Sequence, residues 1–151
     1  GTSSSRLWTA KTPAQILRDI NAALGAVETG TNGAHIADTL VLPITSYNYI
    51  ATTPLGDGGA TILSFLLANN AAGPGLRILK SRELETAGTS TSTRMVAYEN
   101  NPQVLRFHLP GPHQFLSPFQ KSSLVYEVAG IMNVGGCEVR LPKAMVYRDS
   151  F

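Results

Sequence analysis

The sequence predicts an α+β fold, and three observations carry that reading. Apolar residues recur at helical spacing through the first half of the chain. Alternating or short apolar runs, the signature of strands, accumulate towards the end. No segment repeats, and 151 residues are enough for a single core. Helices gathered ahead of strands, instead of alternating with them, define the α+β arrangement.

The clearest helix is "TPAQILRDINAALGAVE". Thr12 suits the N-cap, Pro13 the first helical position, and Gln15 completes a capping box. Ile16, Leu17, Ile20, Leu24 and Val27 form one apolar stripe. Gly25 interrupts the stripe's scaffold at a cost of up to about 1 kcal/mol against alanine. After the turn "TGTNGAH", "ADTLVLP" reads as a short buried strand that Pro43 ends, opening a brief helix through "PITSYNYI". "ATTPLGDGG" is an exposed loop by its glycines and proline. "ATILSFLLANN" returns to helical spacing, with Ile62, Leu63, Leu66 and Leu67 expected on the buried side. Past the turn "AAGPG", "LRILKSREL" and "RMVAYEN" read as strands on either side of the hydroxyl-rich loop "TAGTSTST". Four prolines make "NPQVLRFHLPGPHQFLSPFQ" extended or looped. The closing "SSLVYEVAGIMNVGGCEVRLPKAMVY" reads as two or three strands meeting at a Gly135–Gly136 turn.

Composition excludes several classes of function. Only 15% of residues are charged, against about a quarter in ordinary domains. The surface must therefore draw on Ser, Thr, Asn, Gln and Gly, which suits packing against further copies. The twelve basic residues are scattered, so no basic patch marks a nucleic-acid partner. One cysteine rules out an internal disulfide and fits a reducing place of synthesis. The apolar runs are far shorter than a membrane span. The opening residues, 1–8, read as a tag remnant or leader.

Catalytic chemistry finds no footing. Cys137 sits mid-strand without a neighbouring base or helix N-terminus, and is expected as a buried small hydrophobe. His108 and His113 bracket "LPGP", but no HExxH or acidic cluster joins them, and His35 stands in a turn. "GDGG" and "GPG" lack a P-loop's Lys-Ser/Thr, and Thr61 and Ile78 break the GxGxxG pattern. No GxSxG is present. Glu83 and Glu85, beside Lys80 and Arg82, read as a solvated face. No catalytic, cofactor or metal residues are assigned.

The order of segments nevertheless resembles a known family. A capped helix, then "ADTLVLPITSYNYI", a Gly-rich loop, "LRILKSRELETAG", "RMVAYEN", "YEVAGIMNVGG" and the ending "GGCEVRLPKAMVYRDSF" are similar to the C-terminal part of tailed-bacteriophage and prophage major capsid proteins of the Hong Kong 97 type. The resemblance covers Thr9 to Phe151. It implies a structural subunit, without enzymatic activity or cofactor, that self-assembles with its own copies into the icosahedral shell of a virion in the bacterial cytoplasm.

It further implies an axial domain over residues 9–133, surrounding five-fold and six-fold axes, with 134–151 returning to an incomplete peripheral domain. The loop Thr53, Pro54, Leu55, Gly56, Asp57, Gly58 and Gly59 would approach the axis and supply assembly contacts. The family's arm, cross-linking hairpin and spine helix have no counterpart here, so the chain is expected to be a fragment, a monomer or weak oligomer by itself. No membrane and no sequence-specific nucleic acid is expected as partner. The alternatives are an encapsulin-like nanocompartment shell protein and, further off, a small α+β ligand-binding domain or enzyme.

Overall fold

The computed structural model describes residues 7–151. They divide into two compact units. One runs to Asn100 and resumes over Leu141–Phe151; the other is Asn101–Arg140. Three helices, α1 (Pro13–Gly30), α2 (Ile44–Thr52) and α3 (Ile62–Ala68), all belong to the first unit. Ten strands follow in chain order: β1 (Thr39–Pro43), β2 (Arg77–Ser81), β3 (Arg94–Tyr98), β4 (Leu105–His108), β5 (Gly111–Phe115), β6 (Phe119–Ser122), β7 (Val125–Glu127), β8 (Gly130–Asn133), β9 (Gly136–Val139) and β10 (Met145–Asp149). The α+β class stands.

The first unit is a four-stranded sheet in the order β10-β3-β1-β2 with helices packed on it. β1 runs parallel to β2 and antiparallel to β3, which in turn pairs antiparallel with β10. A parallel pair needs a crossover, and α2 with α3 supplies it. α1 starts as its sequence requires: Thr12 N–H donates to Gln15 Oε1 at 3.0 Å, and Pro13 occupies the first position. Its stripe of Ile16, Ile20, Leu24 and Val27 is fully buried with Leu40, Leu42, Met95 and Ala97 of the sheet. Each such side chain contributes about 1.5–3 kcal/mol by leaving water.

On the short α3, Ile62 and Leu66 are buried in the core and Leu63 is half-buried against it, as expected. Leu67, expected inside, is 54% exposed. Most of the leader expected over residues 1–8 lies outside the described residues, but Trp8 does not. It is buried, with its ring 4.5 Å from that of Phe151.

The second unit is one antiparallel ribbon. β4 pairs with β9, β5 with β8 and β6 with β7, and the chain turns at Ser123–Leu124. Pro112 lies in β5, where the register with β8 is interrupted between Gly111 and Gln114, and Pro110 and Pro118 fall between strands, so none of the three breaks a ladder. The strands β8 and β9 meet at Gly135 and Gly136, as expected, but they do not pair with each other there. Gly135 N–H donates to His108 O at 2.9 Å, and Gly136 takes φ +95° as the chain passes from β8 to β9. Cys137 is exposed, not buried: its partner is Phe107 across the ribbon, and no third strand covers them.

The boundary expected at 133/134 falls inside the ribbon, since residues 134–140 belong to it. β10 does not stand apart from the helical part of the chain. It forms an edge of the main sheet, with Val146 packed against the core and Ala144 fully buried just ahead of it. Tyr147 remains 60% exposed, under the Arg94 guanidinium at 4.4 Å.

Candidate assembly surface

The loop Thr53–Gly59 leaves the C-terminus of α2 and re-enters the fold at α3. Thr53 closes α2: its N–H and its hydroxyl both donate to Tyr49 O, at 2.9 and 2.7 Å. Below the tip the two limbs are tied together. Leu55 N–H donates to Ala60 O at 2.8 Å, Pro54 bridges Thr61, and Ile62 N–H donates to Thr53 O at 3.1 Å. Leu55 is half-buried against the core, and Thr61 caps α3 by accepting from Ser64 N–H at 3.2 Å. Pro54 and the four residues Gly56, Asp57, Gly58 and Gly59 are exposed. A methyl group added at Gly56, Gly58 or Gly59 would meet no atom within 4 Å. Gly59 alone needs glycine's backbone freedom, at φ +74°. The site is thus a small open tip on a clamped neck.

The remaining candidate residues do not converge on a reaction centre. His35 Nδ1 lies 2.5 Å from Glu99 Oε2, and His108 Nε2 lies 2.7 Å from Glu138 Oε2. His113 stacks edge-on against Phe115. Among the described residues no group of three His, Cys, Asp or Glu could hold a metal ion. Nor, among them, is any helix long and apolar enough to cross a membrane. Glu85, read from the sequence as solvated, accepts from Thr45 N–H at 2.9 Å and from the Thr45 hydroxyl, so it caps α2 from forty residues away.

The sequence is matched over residues 1–151 by the family described as major capsid protein. The chain belongs to that family. Its fold agrees with solved shells. The capsid of Myoviridae Phage XM1 superposes with a TM-score of 0.79 at 20% identity, over 97% of this chain and 49% of that one. The virus-like particle from Pyrococcus furiosus gives 0.58 at 16% identity, over 89% and 50%. This capsid chain therefore spans about half the length of the solved chains it matches. No curated protein matches the sequence.

A second surface of the capsid chain escapes a reading of the sequence. The ribbon carries most of the large apolar side chains that stay exposed, among them Phe107, Phe115, Leu124, Tyr126 and Ile131, and Leu124 at the turn is 93% exposed. The signal is present as a density of Phe, Leu, Val and Ile across residues 104–134, but three prolines and no clean alternation obscure it. Facing strands of the ribbon are linked by the Lys121–Glu127 ion pair at 2.8 Å and by the His108–Glu138 hydrogen bond. The hydrogen bond from His108 holds the Glu138 carboxyl below its ordinary range, with Arg140 and Arg106 adding to the effect.

Proposed function

We propose that this chain is the sheet-bearing portion of a phage or prophage shell subunit, and that it works by packing against its own copies through the loop Thr53–Gly59. Family membership over the whole chain supports the class of function. The loop's geometry carries the assignment of the contact. An exposed tip with open space around three glycines, fixed at its neck by backbone hydrogen bonds, presents a surface that costs little order to bury. In the frame of the resemblance, the unit holding this loop is the axial one, and head-to-tail contacts that close make rings. The shell is part of a virion, assembled in the bacterial cytoplasm, and the protein performs no chemistry.

The test uses the full-length protein. Gly58→Trp projects a large ring from an exposed position whose Cβ would meet no atom within 4 Å, so the subunit is expected to stay folded by circular dichroism while closed particles fail to form in electron micrographs. Normal particles from that variant would overturn the role of the loop.

A further inference from the structure

The three helices pack on one face of the four-stranded sheet, where their apolar side chains share a single buried cluster with Leu40, Leu42, Met95 and Ala97. Successive residues of a strand point to opposite faces, so Val41 and Val96 belong to the other face. The register extends them into one row across the sheet. Leu79 stands opposite Val41, Val41 opposite Val96, and Val96 opposite Tyr147. At the ends of the row Leu79 is 43% exposed and Tyr147 60%, and the two valines between them are half-buried. β1 nevertheless has the sequence of a strand covered on both faces, Thr-Leu-Val-Leu-Pro, an almost unbroken apolar run. Thr39 and Pro43 are buried on either side of Val41, so the row is a shallow slot.

We infer that this slot seats an apolar segment from the part of the full-length subunit ahead of Leu7. Its size favours a tethered occupant. Four strands about 4.8 Å apart make a row about 14 Å long and about 7 Å wide, a footprint on the order of 100 Å². Separate chains bury about 800 Å² each in a stable interface, whereas a tethered segment needs far less, because its local concentration is already in the millimolar range. The solved shell chains supply the length, since this chain spans only about half of each. The point of entry also fits. Trp8 meets the fold against Phe151, just past the strand that carries Tyr147, and that strand is an edge around which a segment can pass. Charged side chains stand beside the row, Arg77 at one side and the Arg94–Asp149 pair at the other, and none stands in it. Apolar shape therefore selects the segment. The inference draws on family membership and not on the loop Thr53–Gly59.

Thiol labelling tests this in a Cys137→Ser background, which removes the single cysteine of these residues. Leu79→Cys and Tyr147→Cys place a thiol at each end of the slot, and Ser90→Cys, at an exposed loop position, is the control. Emission of the buried Trp8 verifies that each variant is folded before labelling. In the 151-residue chain both slot thiols are expected to react with a maleimide at rates close to the control. In the unassembled full-length subunit they are expected to react about tenfold or more slowly, because a docked segment exposes them only when it opens, while Ser90→Cys keeps its rate. Equal rates in the two chains would overturn the inference. So would protection already present in the short chain. Protection that arises only in assembled particles would give the slot to a neighbouring copy, and overturns it too. Gly58→Trp acts on shell closure and leaves labelling of the unassembled subunit unchanged, so a failure of the loop's role is distinguishable from a failure here.

Discussion

Asp149 gathers three parts of the chain around one carboxylate. Arg94 of β3 reaches it with Nε at 2.6 Å and a terminal nitrogen at 2.9 Å, and Thr89 donates both its N–H and its hydroxyl at 3.1 Å. The Arg94 hydrogen bonds, then the Thr89 N–H, hold this carboxyl well below the usual range. A depressed carboxyl stabilises the fold fully above its unfolded value, about 3.9, and that contribution is lost as pH falls towards the folded value. Urea midpoints should therefore fall below about pH 4, and Asp149→Asn should flatten that part of the profile; an unchanged acid limb would refute the assignment. Two glycines give opposite expectations. A methyl group at Gly88 would lie 2.5 Å from Ser92 Oγ and 2.7 Å from Ser92 O, so Gly88→Ala should destabilise by about 1–3 kcal/mol. Gly25 is interior to α1 with nothing within 4 Å, so Gly25→Ala should stabilise by about 0.5–1 kcal/mol. Thermal melts of the pair decide both.

At the scale of elements, local signals were legible and long-range ones were not. Thr12, Pro13 and Gln15 announce α1, the apolar run before Pro43 announces β1, and the glycines of residues 56–59 announce an exposed loop. Each of these depends on neighbours in the chain. Glu85 was misread because its partner, Thr45, lies in another element, and spacing cannot reveal a cap supplied from forty residues away. Replacing Glu85 with Ala should cost about 1 kcal/mol through the exposed amide at Thr45, with the loss seen in a lowered urea midpoint. Cys137 was misread for a related reason. Alternation shows that one side of a strand is apolar, not that another strand lies over it. The ribbon's nested pairing is likewise a property of contacts between residues 105–108 and 136–139, which no local pattern encodes.

In the whole molecule, the ribbon is an insertion between β3 and β10, and it leaves the sheet unit's core untouched. Every residue of the buried cluster lies outside 101–140. The two sides of the gap are already joined, since Glu99 N–H donates to Ala144 O at 3.4 Å. Replacing residues 101–140 by a short Gly/Ser linker should leave a folded unit in which Trp8, the only tryptophan, emits as a buried ring until urea unfolds it. The excised ribbon, a pair of strands without a third layer, should be unstructured by itself in water. Emission typical of exposed tryptophan in the deletion variant would refute this account. The same topology bears on synthesis. β10, the Arg94–Asp149 clamp and the Trp8–Phe151 stack all wait for residues made after the ribbon. A nascent chain thus holds its sheet one strand short while the ribosome translates the intervening residues, and the sheet closes only when β10 has been made.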